Sequence, residues 1–195
     1  GQVYFDSAQP AASGAIRTES TTAAALTAMT ASDTYTIARL SCLLDPIAAK
    51  ADVEGMGLKN TGGYIFYDGN NLNWLDPSKP AARQYLCGLA KELAETGFDE
   101  ILLTDVSYPT EGKLDKIAYG ETGKVQNLNT FLDEMRAALA EYDVKLSIEL
   151  PAAAVSEGSD SQAGLTLADI APRVDRIYAV TTEDQISALS QAVSA

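Results

Sequence analysis

Thr104, Asp105, Ser107 and Tyr108 put two hydroxyls, an acid and a phenol directly after the apolar run Ile101, Leu102, Leu103 and directly before Pro109. A short continuous apolar run is the mark of a strand covered on both faces. Polar groups at the carboxyl end of such a strand lie where α/β folds and barrels bind ligands and do chemistry. The chain has no His, which removes Ser-His and Cys-His nucleophile pairs and every His-ligated metal site. Catalysis here has to run on carboxylates, Tyr, Lys or Arg. Cys42 and Cys87 have no metal-ligand spacing and read as small apolar packing groups, with a disulfide between them left open. Asp68, Asn70 and Asn73 imitate part of a calcium loop but lack the spacing and terminal Glu of an EF-hand, so a turn is the better reading. No metal or other cofactor is expected.

These groups need elements to hold them, and the chain alternates strand-like and helix-like segments. Residues 3–5 read as a short strand, 18–30 as an Ala-rich helix, and 35–41 (YTIARLS) as a strand. Asp45-Pro46 opens a short helix, with Pro in its first turn. Asp68-Gly69, flanked by 64–67 and 72–75, marks a hairpin or a tight loop. Residues 80–96 are the clearest helix: Leu86, Leu89, Ala90 and Leu93 form one stripe, and Gly97 closes it. Leu128, Phe131, Leu132, Met135 and Leu139 recur at helical spacing, with Asn127 or Asn129 as the expected cap. Residues 144–150 (VKLSIEL) form the next strand, 156–161 a polar loop, 165–170 a short helix and 174–180 a last strand. Thr182 to Gln185 is a capping box for a final helix carrying Ile186, Leu189 and Val193. Such alternation means parallel βαβ units with right-handed crossovers. The expected class is α/β, with parallel β/α units of the TIM-barrel type in one domain over 1–195. Five to six strands fall short of a closed eight-stranded barrel, which typically needs about 250 residues.

Composition narrows the partners. With 27 acidic against 14 basic residues the formal net charge is −13, and no cluster of Lys and Arg exists to hold phosphate. Nucleic acid and an anionic membrane surface are therefore not expected as partners. No apolar run is long enough to span a bilayer, so no membrane insertion is expected. The chain begins abruptly, with Gly1-Gln2 leading into Val3-Tyr4-Phe5, so the lack of a leader leaves the location unknown. An extracellular or cell-envelope place would follow if a signal or anchor had been removed.

Residues 35–46 (YTIARLSCLLDP), 73–77 (NWLDP), 91–109 (KELAETGFDEILLTDVSYP), 145–151 (KLSIELP) and 168–178 (ADIAPRVDRIY) together resemble an uncharacterised bacterial family of glycoside-hydrolase-like domains. The barrel of that family is similar to the barrel of the α-amylase-like enzymes. The resemblance runs over residues 2–180. It implies an incomplete or reduced barrel, with 1–7 following an absent first strand and the chain ending after the sixth. Two positions depart from the family. Thr104 stands where its members carry Asp, and Ser107 where they carry Arg. Asp105 lies one residue on, and a one-residue step along a strand turns a side chain to the other face. Asp105 is therefore not expected to inherit the missing acid's role. Glu149 does match an acid the family places on its fifth strand.

The resemblance implies glycoside hydrolysis, in which two carboxylates flank one bond at about 5 to 10 Å. Glu149 and Asp105 are the expected catalytic pair, because neighbouring parallel strands lie about 4.8 Å apart. The alternative is that Asp105 caps a turn or helix and Glu149 pairs with Arg39 or Lys145. Arg39, a charge within an apolar strand, is costly unless paired; it either holds substrate or makes a salt bridge. Trp74 and Tyr108 either stack on sugar rings or anchor core and loop. The function expected is a glycoside-hydrolase-like domain acting on or binding carbohydrate, its activity put in question by Thr104 and Ser107. The alternative is a non-catalytic carbohydrate- or protein-binding scaffold. Exposed sheet edges are expected to favour a homo-oligomer.

Overall fold

In the computed structural model, residues 2, 3, 5, 7–9, 14, 16 and 23–192 are described. The strands are β1 (Ile37–Ser41), β2 (Glu100–Thr104), β3 (Lys145–Pro151), β4 (Ser159–Asp160), β5 (Leu165–Thr166) and β6 (Arg176–Val180). The helices are α1 (Ala23–Thr30), α2 (Pro46–Ala51), α3 (Pro80–Glu95), α4 (Lys124–Ala138), α5 (Ala152–Glu157), α6 (Leu167–Ile170) and α7 (Ile186–Ala192). One sheet has four strands in the order β1-β2-β3-β6, all parallel. With helices between successive strands, this is a β/α unit of the TIM-barrel type. β4 and β5 form a separate antiparallel pair.

The two faces of the sheet differ in chemistry. Strand side chains alternate, and one face carries Ala38, Leu40, Ile101, Leu103, Leu146, Ile148 and Leu150, all buried. They form one core with Leu86, Leu89 and Leu93 of α3 and Phe131, Leu132 and Met135 of α4. The other face is polar. Arg39, Leu102, Ser147 and Arg176 stand in one register row across it, and Glu100 lies one step toward the amino ends of the strands. Glu100 is fully buried. Its carboxylate accepts from Ser147 Oγ at 2.6 Å and from Tyr35 OH at 2.7 Å, and from the Arg176 guanidinium. Arg176 Nη1 also donates to the Tyr35 oxygen at 2.9 Å. Burial pushes the Glu100 carboxyl up, but the hydrogen bonds from Ser147, Tyr35 and Tyr178 and the charge of Arg176 outweigh it and hold it below the ordinary range.

Local chemistry accounts for most boundaries. Asp45 Oδ1 accepts from the N–H groups of Ile47 and Ala48 and so caps α2. At the other end of α3, Gly97 takes a φ of +95°, the left-handed C′ conformation in which Gly has no steric penalty. Thr182 and Gln185 make the reciprocal capping box ahead of α7.

Several expectations need correction. α4 starts at Lys124, behind Gly123 at a φ of +79°. Neither Asn127 nor Asn129 therefore caps it; Asn127 is buried and spends its amide on Tyr108 OH and the Tyr119 carbonyl, each at 2.9 Å. Residues 156–161, read as loop alone, contain the end of α5 and all of β4. Segments 64–67 and 72–75 form a tight loop rather than a hairpin: the Asp68 N–H bonds the Leu72 carbonyl, and both segments bridge back to residues 57–59. The strand read over 3–5 leaves an isolated bridge between Val3 and Ile16, while Tyr4, residues 18–22 and Val193 lie outside the described residues.

Candidate functional site

At the carboxyl ends of β2 and β3 the chain opens a cleft of about 640 Å³. Asp105, just past β2, and Glu149, near the end of β3, both line it, joined by Glu111, Asp160, Gln162 and Val180 from the following segments. Parallel strands point their carboxyl ends the same way, so the acids at β2 and β3 meet on one rim.

Asp105 does not behave as a continued strand requires. β2 ends at Thr104, and Asp105 takes a φ of +55°. Asp is among the few L-residues that enter the left-handed region readily. The turn ends the two-residue alternation, and the carboxylate folds back beside Thr104. Its Oδ2 accepts from Ser41 Oγ at 2.6 Å and from Thr104 Oγ1 at 3.1 Å. β2 stops before the next step of the alternation, so the Asp105 carboxylate lies beside Thr104 and lines the cleft. Thr104, fully buried, serves as a hydroxyl strut for it.

Glu149 Oε1 accepts from Arg39 Nη2 at 2.9 Å, in a pair whose side chains are 26% and 61% exposed respectively. Of the readings open for Arg39, the structure shows the salt bridge, spanning from β1 to β3 over the polar face. Trp74 and Tyr108 are not brought to the cleft. Trp74 is buried and its indole N–H donates to Asp68 Oδ2 at 2.8 Å. Tyr108 is also buried; it meets Tyr119 edge to face at 5.1 Å, and its hydroxyl accepts from Asn127. Each ring carries a polar atom that finds its partner inside the fold, which is how buried Trp and Tyr are accommodated.

Sequence reasoning missed Glu111 and Asp160. Asp160 Oδ1 accepts from the N–H groups of Gln162 and Ala163, the signature of an Asx turn. Glu111 Oε2 accepts from Asn70 Nδ2 at 3.1 Å, tying the Asp68–Leu72 turn to the rim of the cleft. The turn itself is closed by Asp68 Oδ1, which accepts from the N–H groups of Asn70 and Leu72. Among the described residues no three His, Cys, Asp or Glu converge to hold a metal ion. Cys42 and Cys87 are both buried free thiols, and no described helix is long and apolar enough to cross a membrane.

The comparisons with known proteins agree with this architecture. No curated protein matches the sequence. A hypothetical protein from Ruminiclostridium thermocellum, known from its crystal structure, is 30% identical with a TM-score of 0.65, over 76% of this chain and 76% of that one. The glycoside hydrolase domain of PelA from Pseudomonas aeruginosa is 13% identical with a TM-score of 0.54, over 98% of this chain and 76% of that one. That second likeness shows the fold alone. Residues 1–181 match the model of the family described as "Putative glycosyl hydrolase domain", and the chain belongs to that family.

Proposed function

We propose that this chain acts on carbohydrate at the cleft beside β2 and β3, with Glu149 and Asp105 as its acid pair, in the manner of the α-amylase-like enzymes. The observation that carries this reading is that both carboxylates line one cleft at the carboxyl ends of neighbouring parallel strands. Leu103 pairs with Ile148, so the next step along sets Thr104 beside Glu149 and Asp105 one residue beyond. A strand spacing of about 4.8 Å and a rise of about 3.3 Å per residue put the two backbones about 6 Å apart. Side chains on such a base reach the window of about 5 to 10 Å in which a carboxyl pair hydrolyses a glycosidic bond. Asp105, held by two hydroxyl donors, has the fixed position of a nucleophile or charge stabiliser. Glu149 is the acid and base, with Arg39 placed to exchange its salt bridge for a substrate hydroxyl.

A second reading, a binding scaffold without turnover, is favoured by the same Arg39–Glu149 pair, which occupies the acid this chemistry needs. Turnover on a broad glycan panel separates the two. The hydrolase reading expects cleavage of at least one glycan, with Glu149→Gln lowering kcat at least about 100-fold and leaving binding in place, the range for loss of general acid catalysis. Binding without cleavage establishes the scaffold instead, and a protein that neither binds nor cleaves any glycan ends both. We also propose self-association through the sheet edges, since among the described residues β1 and β6 each pair on one side only; sedimentation showing monomer alone rejects it.

A further inference from the structure

Three aromatic rings stand exposed among the described residues, Tyr35, Tyr64 and Tyr67. Tyr35 precedes the amino end of β1, and its hydroxyl is taken up by Glu100 and Arg176. The other two share one loop, the segment between α2 and α3 that follows the carboxyl end of β1. Tyr64 is 76% exposed and Tyr67 46%, and neither hydroxyl finds a hydrogen-bond partner among the described residues. The loop beneath them is fastened. Asn60 Oδ1 accepts from the N–H groups of Gly62 and Tyr64 at 2.9 and 3.1 Å, and the Asn60 N–H bonds the Tyr64 carbonyl. Fully buried Asn73 donates its amide to the Phe66 carbonyl at 2.7 Å, and Phe66, between the two tyrosines in sequence, packs into the core. The same loop walls the cleft. Asn70 holds Glu111, which lines it. Gly69, two residues from Tyr67, lies so close that a Cβ there would meet the Glu111 Cβ at 2.9 Å. The Lys50 ammonium stands 5.9 Å from the centroid of the Tyr67 ring.

A large ring held in water gains free energy when a ligand covers it. Pyranose rings carry C–H groups on their faces and hydroxyls at their edges, so they stack on aromatic rings. A ring already fixed on a fastened loop loses little freedom when that happens. Its phenol, and the Lys50 ammonium beside Tyr67, offer hydrogen bonds to the sugar hydroxyls. We infer that Tyr64 and Tyr67 are sugar-stacking rings, an outer binding site for glycan units that run out of the cleft beyond the acid pair. The inference rests on the proposal that the cleft is the glycan site, and adds the residues that grip the chain outside it. Tyr64 and Tyr67 thereby take the role expected of Trp74 and Tyr108, whose polar atoms are engaged inside the fold.

Calorimetric titration with cello-, malto-, xylo- and N-acetylchito-hexaose tests it. Tyr64→Ala and Tyr67→Ala are each expected to weaken a bound hexasaccharide about tenfold, the worth of covering one ring face. Tyr64→Phe and Tyr67→Phe keep the ring and are expected to retain most of the affinity. Ile186→Ala removes another exposed apolar side chain, at the start of α7, and is expected to change nothing. A second measurement needs no variant. Bound hexasaccharide is expected to protect Tyr64 and Tyr67 from nitration, mapped by peptide mass spectrometry, and to leave Tyr35 open. Full binding by both alanine variants, with Tyr64 and Tyr67 nitrated as before, overturns the inference while leaving the proposed function standing. An equal loss in the Phe variants assigns the contact to the hydroxyls and overturns stacking. So does an equal loss in Ile186→Ala, which identifies unspecific adhesion. Failure of every hexasaccharide to bind ends this inference and the proposed function together.

Discussion

Replacing Glu100 by Gln tests whether the polar face of the sheet is built around one buried anion. Gln keeps the shape and removes the charge. The carboxylate accepts from Ser147 Oγ, Tyr35 OH and the Arg176 guanidinium, and Gln offers one acceptor oxygen and an amide nitrogen that must face a donor. A hydrogen bond to a charged group contributes about 1.5–3 kcal/mol, and breaking a buried pair costs about 3–5 kcal/mol. With one acceptor retained, the expected loss is about 3 kcal/mol. For a domain of this size that lowers Tm by roughly 6–12 °C. Urea denaturation followed by circular dichroism reads it directly. The acid limb supplies a second readout. The Glu100 carboxyl is held below its ordinary value of 4.5 in the folded protein, so its stabilisation is fully present above that pH and is lost as pH falls through the depressed value. Glu100→Gln is therefore expected to flatten the loss of stability below that value. A variant within about 0.5 kcal/mol of the parent, the spread of an ordinary surface change, with an unchanged acid limb, would refute the reasoning.

Other outcomes follow from single contacts. Asp45→Ala removes the acceptor for two N–H groups at the start of α2 and the partner of Tyr85 OH, and is expected to cost about 1–2 kcal/mol in urea titration. Tyr108→Phe deletes the buried acceptor of the Asn127 amide, with an expected cost of about 1–2 kcal/mol, while Asn127→Ala in the same background adds little because the pair acts as one unit. Burial raises the Cys87 thiol to about 11 and the Cys42 thiol well above its usual value. Both are therefore expected to resist a thiol reagent at pH 8 in the native protein, with two equivalents reacting on denaturation; rapid native labelling would contradict their burial.

Sequence by itself determined the alternation of parallel strands and helices, because that is written in local periodicity and punctuation. Leu86, Leu89 and Leu93 mark α3 and Gly97 ends it, Asp45-Pro46 starts α2, and Ile101–Leu103 announces a strand covered on both sides. The candidate site was half legible: Glu149 and Asp105, which both line the cleft, could be named because each falls at the end of a recognisable strand. What each faces was decided by tertiary structure. A left-handed φ at Asp105 depends on where β2 stops pairing, and one residue either way reverses the side chain. Whether Arg39 meets Glu149 rests on register across three strands, and no local pattern encodes that. Trp74 and Tyr108 carry the same residue types whether they greet a sugar or the core, and only the fold buries them with Asp68 and Asn127 as their partners. Glu100 shows the same limit: a charge at the start of an apolar strand reads as surface until Tyr35, Ser147 and Arg176, remote in sequence, close over it.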